Sequence, residues 1–118
     1  MSVTPAETAA TLQRRSAEAR RQAEVRAETA RERVLAIVRG LLAPKMRAWL
    51  IGSLAWGGFG TRSDVDLVLS CVDPERAGAI EDALLRTLRV KVDLLVFEEL
   101  PASFRERIER EGIAIHGG

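Results

Sequence analysis

The sequence predicts a small α/β (α+β) fold, a β-sheet packed by helices, with a long helix at its N-terminal side. Three observations carry that prediction. Short segments rich in β-branched residues alternate with helical ones between positions 46 and 116. The large apolar residues crowd into positions 34 to 115. Residues 6 to 33, by contrast, are mostly Ala, Glu and Arg, with only Leu12 and Val25 as larger aliphatics. A chain of 118 residues that is 47% hydrophobic can build one core if its apolar residues are concentrated in this way. The expected organisation is therefore a helix over residues 1–42 and an α/β body over 43–118, with the apolar residues setting in near Val34.

Taken in order, Thr4, Pro5 and Glu7 form a helix start, a capping box with proline at the first helical position. No Pro or Gly follows until Gly40. Charges of opposite sign sit three or four apart, as in Arg14 with Glu18 and Glu28 with Arg31, which supports a solvated helix from Thr4 to about Leu42. A seam of small residues runs through Ala9, Leu12, Ala19 and Ala23 and becomes apolar at Val34, Ile37 and Leu41. The last turns must pack on the core. A helix of roughly 37 residues is about 55 Å long, more than such a domain is wide, so its first half is expected to project. That half reads either as a docking element, for a helical partner or for a second copy in a homodimer, or as a solvated helix that frays at its start.

After the Ala43–Pro44 break, MRAWLIG reads as a first strand. Leu54, Ala55 and Trp56 can begin a short helix, and Asp64 to Ser70 is a second strand. Asp73 then caps a helix from Pro74 to about Leu88, with Ile80, Leu84, Leu85 and Leu88 on one side. Arg89 to Phe97 is a third strand, Glu99 to Arg110 a final helix stopped by Gly112, and Ile113 to His116 a short fourth strand.

Charge and cysteine content narrow the partners. The net charge is +1, with +3 over residues 1–42 and −2 over 43–118, so no strong field draws in nucleic acid or an anionic membrane. Cys71 is the only cysteine, which excludes an internal disulfide or a cysteine-based zinc site. No run of about 18 apolar residues and no signal-peptide core is visible, so a cytoplasmic protein is expected.

The chemistry concentrates in Gly52 to Leu67, GSLAWGGFGTRSDVDL, with four glycines and two aspartates in sixteen residues. Glycine is costly to order and aspartate costly to bury, so a purely structural segment has little use for both. On a strand, Asp64 and Asp66 point to the same side about 6.5–7 Å apart at Cα, and their carboxylates can converge on one cation. Asp93 lies inside the apolar strand KVDLLVF and can complete a triad if the two strands are neighbours. Three hard oxygen ligands suit Mg²⁺, and a pair of such ions about 3.5–4 Å apart would activate an attacking hydroxyl and stabilise a leaving pyrophosphate. Gly52 and Ser53 end the first strand at a sharp turn whose backbone N–H groups, with the Ser53 hydroxyl, can cradle phosphate. Strand-end capping by Asp64 and Asp66, and pairing of Asp93 with Lys91 or an arginine, are the structural alternatives.

This segment resembles the G-S-x-A-R-G…S-D-x-D-L signature of the minimal nucleotidyltransferases of the DNA polymerase β superfamily. Ser53 and Ser63 stand at the family's spacing, Asp93 in KVDLLVF resembles the third family carboxylate, and FRERIEREGIAIHG resembles the closing helix, glycine and strand. The resemblance covers about Met46 to Gly117. It implies the polymerase β-like nucleotidyltransferase fold with a mixed sheet, and an enzyme that transfers a nucleoside monophosphate, such as AMP from ATP, to a hydroxyl. It also implies that Gly52, Ser53 and Ser63 bind the triphosphate, that Asp64 and Asp66 hold both Mg²⁺ ions, and that Asp93 holds the catalytic one and helps deprotonate the acceptor. Many family members pair with a helical HEPN toxin and act as its antitoxin by AMPylation, so a HEPN-type partner is implied here. The chain departs from the signature at Trp56, where the family has arginine; Arg62 is a candidate substitute. A non-catalytic module that binds a partner through the same fold is the competing reading, and transfer to a small hydroxylated molecule is a third. Direct nucleic-acid binding is not expected, because no basic stripe is present.

The remaining candidates read as structural. His116 is expected to be an exposed tail residue, Cys71 a small buried filler and Trp49 core. Trp56 and Phe59 are expected to pack under the glycine turn in preference to stacking on a base.

Overall fold

A computed structural model describes residues 5–57 and 64–116. Helix α1 spans Pro5–Leu41, β1 Arg47–Ile51, α2 Gly52–Trp56, β2 Val65–Ser70, α3 Pro74–Leu88, β3 Val92–Val96, a 3-10 turn Phe97–Glu99, α4 Ala102–Glu111 and β4 Ile113–Ile115. Helix α1 is described from Pro5 onward; Thr4, expected to cap it, lies outside the described residues. The alternation of strands and helices gives the expected α/β class, with one four-stranded sheet in the order β3-β2-β1-β4.

The sheet is mixed. Strand β1 runs antiparallel to both β2 and β4, whereas β2 and β3 are parallel. Parallel neighbours need a crossover, and α3 supplies it. Asp73 caps α3, its carboxylate accepting from the Glu75 N–H at 3.0 Å, and Pro74 follows at the first turn. Arg89 closes the helix in the left-handed region at φ 55°. That closure uses up the residues expected to open the third strand, which therefore begins at Val92 instead of Arg89.

Period-two alternation sorts the strand side chains onto two faces. Ala48, Leu50, Val65, Leu67, Leu69 and Val92 pack with Val34 and Val38 of α1 and with Ile80 and Leu84 of α3. Trp49, Ile51 and Val68 pack with Ile108 of α4, and Phe97 and Phe104 lie against them. The Trp49 and Phe97 rings stack at 4.8 Å. Helices thus cover both faces, which explains why four of the five β1 residues are buried. Only the end of α1 takes part in this core: Val34 and Val38 are its buried residues, while Leu12 and Val25 are 57% and 61% exposed. The molecule measures 66 × 32 × 21 Å, its long axis far exceeding what the sheet needs.

Two local features were not legible in the sequence. Cys71 is exposed, not buried filler, because it leaves β2 in a left-handed turn at φ 55°. Glu98 ties this turn to the 3-10 segment: its carboxylate accepts from the buried Ser70 hydroxyl and from the Cys71 N–H at 3.0 Å. These donors hold the Glu98 carboxyl below its ordinary value, the Ser70 hydroxyl contributing most. A carboxylate whose folded value is depressed adds stability above its unfolded value and loses it as pH falls through the folded one. Glu98→Ala is expected to cost about 1 kcal/mol at neutral pH, seen as a melting point lower by about 4 °C, because Ser70 loses its acceptor. Acid melts should show the difference between the two proteins shrinking below pH 4.5, the ordinary glutamate value.

Candidate functional site

The candidate site forms where three strand ends meet. The antiparallel β1–β2 register sets Ile51 opposite Asp66, and the parallel β2–β3 register sets Asp66 beside Asp93. Asp66 and Asp93 therefore share one sheet face, the one that carries Trp49 and Val68 further along, and they occupy it just past the apolar cluster. Asp64 stands one residue before β2, two positions from Asp66, near enough for its charge to act on the Asp66 carboxyl. The neighbouring-strand condition read from the sequence is met.

Gly52 completes this corner. It leaves β1 at φ 75°, in the region that disfavours a Cβ, and a Cβ built there would collide with the Asp66 carboxylate. Backbone and carboxylate thus approach each other more closely than any other residue would permit. Helix α2 starts at Gly52, two residues earlier than the expected start at Leu54, and no side chain caps its first turn. Ser53 sits in that first turn. Ser63 lies outside the described residues, as do Phe59 and Arg62.

The electrostatics fit a cation site. Burial, then the charges of Asp93 and Asp64, push the Asp66 carboxyl above its ordinary value, and a hydrogen bond with Asp93 adds to the shift. Asp93 is less enclosed than its apolar neighbours imply, because β3 is an edge strand; its side chain is 44% exposed. Lys91 lies 3.8 Å from it, but at 73% exposure that pair contributes little and leaves the carboxylate open to another ligand. Among the described residues no group of three or more His, Cys, Asp or Glu side chains stands arranged to hold a metal ion, so Asp64, Asp66 and Asp93 do not form a ready three-ligand cluster. The donor set nevertheless suits Mg²⁺, which takes one or two carboxylates directly and fills its octahedron with water and phosphate oxygens.

A raised carboxyl has a consequence for stability. Its folded form holds the proton more tightly than the unfolded chain does, so the cost of ionising Asp66 grows as pH rises through the carboxylate range. Without metal, Asp66→Asn is expected to melt above the native protein at neutral pH. The gap should close as pH falls toward 3.8, the ordinary aspartate value, and Mg²⁺ should raise only the native melting point.

Trp56 does not take the packing role expected of it: it is 40% exposed, belongs to neither core cluster and lies against the end of α4. Its Nε1–H donates to the Glu111 carbonyl at 2.9 Å, and the Arg107 guanidinium lies over its ring at 4.5 Å. Arg107 is further held by Glu111 at 2.8 Å. Sequence reading also missed Arg31, whose Nε donates to the Leu54 carbonyl at 3.1 Å and fastens α1 to α2. The two residues are far apart in the chain, and no local pattern joins them.

Comparison with known proteins agrees with this architecture. The family model described as Polymerase beta, Nucleotidyltransferase matches residues 44–117. Among solved structures, a minimal nucleotidyltransferase is 27% identical with a TM-score of 0.58, the match covering 74% of this chain and 93% of that one. A toxin–antitoxin with AMP-PNP is 18% identical with a TM-score of 0.56, covering 74% of this chain and 73% of that one. The toxin–antitoxin MntA–HepT is 17% identical with a TM-score of 0.51, covering 77% and 73%. The last two carry the fold likeness only. No curated protein matches the chain.

Proposed function

The chain belongs to the polymerase beta nucleotidyltransferase family, and from that premise we propose that it is a Mg²⁺-dependent enzyme transferring AMP from ATP to a hydroxyl on a partner protein. The observation that carries the reading is the register that sets Asp66 beside Asp93, with Asp64 two residues ahead and the Gly52 turn against the Asp66 carboxylate. The partner we propose is a helical HEPN-type toxin with a tyrosine as acceptor. Its support is the likeness in fold to toxin–antitoxin structures, one of them with AMP-PNP.

In this reading the Gly52 turn and the Ser53 hydroxyl orient the outer phosphates, with Ser63 beside them. Asp64 and Asp66 hold Mg²⁺, which when bound neutralises phosphate charge and lowers the pKa of the attacking hydroxyl. Asp93 completes the metal site and accepts the hydroxyl proton. The acceptor oxygen bonds to the α-phosphorus, the bond from that phosphorus to the bridging oxygen breaks, and pyrophosphate leaves. Residues 43–118 form the transferase domain, and α1 before it is the docking element.

One observation favours a second reading. Trp56 stands where the family signature has arginine, and its indole is committed to α4. A chain that lost activity with that arginine would act by occupying its partner. Mass spectrometry of the partner after incubation with this protein, ATP and Mg²⁺ decides between the two. Transfer predicts a partner heavier by one adenylyl group; a stable complex with an unmodified partner would establish the binding module.

A further inference from the structure

Among the described residues, Lys91 is the one basic side chain that forms an ion pair with any of the three aspartates. Its backbone is fixed at the start of β3, because the Val65 N–H donates to the Lys91 carbonyl at 2.9 Å and carries the β2–β3 pairing one residue further. Its side chain is free to move: the ammonium lies 3.8 Å from the Asp93 carboxylate and the side chain is 73% exposed. An ion pair so open adds little to stability and gives way to a better ligand. Other cations nearby are committed, Arg31 to the Leu54 carbonyl and Arg107 to Glu111 and the Trp56 ring.

We propose that Lys91 is a substrate-binding residue whose ammonium contacts the non-bridging oxygens of the α-phosphate. The inference rests on the nucleotide-site reading above. In that reading Ser53, at the end of β1, takes the outer phosphates. A triphosphate laid across the strand order β1, β2, β3 then brings its α-phosphate to Asp66 and Asp93. Lys91 stands at the far end of that line, beside Asp93 on the edge strand. Three carboxylates and a triphosphate carry more negative charge than two Mg²⁺ ions offset, and Trp56 supplies no charge where the family signature has arginine. Lys91 yields Asp93 to the metal, a stronger ligand for a carboxylate than an exposed ammonium. Its released side chain, three N–H donors on a flexible four-carbon stem, then turns to the phosphate.

Calorimetric titrations of Mg²⁺ alone, and of ATP in excess Mg²⁺, should compare the native protein with Lys91→Ala, Lys91→Arg and Lys45→Ala, with melting curves confirming that each variant folds. Lys45 is the chain's other lysine and lies beside Cys71, past the opposite end of β2, so its removal controls for net charge. Lys91→Ala is expected to bind Mg²⁺ about two- to fivefold tighter, having lost a like charge that competes for Asp93. It should bind ATP about tenfold more weakly, the scale of one hydrogen bond to a charged group at an open site. Lys91→Arg should keep most of the ATP affinity, and Lys45→Ala should match the native protein with both ligands. If Lys91→Ala binds ATP as the native protein does, the inference is overturned and the nucleotide-site reading stands. Weakening of Mg²⁺ and ATP together would overturn it too, since Lys91 would then only organise the carboxylates. So would an equal loss of ATP in Lys45→Ala, which would mark a general field. If the native protein binds no ATP, the nucleotide-site reading itself fails and this inference fails with it.

Discussion

Replacing Asp66 by asparagine is expected to lower AMP transfer by about three orders of magnitude while raising the melting point of the metal-free protein. Asp66 borders both Gly52, where its carboxylate fills the space a Cβ would need, and Asp93, through the β2–β3 register. Asparagine has nearly the same shape and keeps this packing, but it removes the negative charge that would hold the metal. Deleting one preorganised electrostatic group from an active site typically costs about 10²–10³ in rate, and a residue that holds metal belongs at the upper end. The opposite movement of stability separates this role from a structural one. Burial and two neighbouring carboxylates work against the Asp66 charge, so neutralising it relieves the fold. Initial rates and thermal melts of one preparation suffice as the test. If activity and melting point fall together, Asp66 is a structural residue.

Gly52→Ala is expected to damage the site without touching a metal ligand. Its φ of 75° costs a residue with a Cβ about 1–2 kcal/mol, corresponding to a melting point lower by about 4–10 °C. Steric conflict then adds to the conformational cost, because the new Cβ must displace the Asp66 carboxylate, whose Cγ and Cβ lie 3.1 and 3.3 Å from its position. Turning Asp66 away spoils the alignment with Asp93, so Mg²⁺-dependent ATP affinity should fall at least tenfold. Melting curves with and without Mg²⁺–ATP measure both effects, and a variant that melts lower yet keeps native affinity would separate the turn from the site.

How far the sequence discloses this arrangement depends on the range of the interactions. Asp73 with Pro74, the period-two pattern of VDLVLS and the aspartate pair at 64 and 66 are local, and the structure keeps the α3 start and strand β2, with Asp64 just ahead of the strand. The partnership of Asp66 with Asp93 is not local. It follows from a parallel pairing that the α3 crossover permits, and the sequence supplies only its condition, a second apolar strand carrying one aspartate. Strand ends were less legible, since the left-handed turns at Cys71 and Arg89 use residues that ordinarily avoid positive φ. Contacts across 23 to 55 residues, such as Arg31 with Leu54 and Trp56 with Glu111, left no local signal. The reach of α1 back to α2 is among them.

The central claim, that Gly52, Ser53 and the three aspartates form a phosphate-and-metal site, is tested most directly by calorimetric titration of ATP with and without Mg²⁺, in the native protein and in Asp66→Asn. The account predicts binding that requires Mg²⁺ and weakens at least tenfold in the variant. ATP binding that is indifferent to both the metal and the substitution, or no binding under any condition, would contradict it.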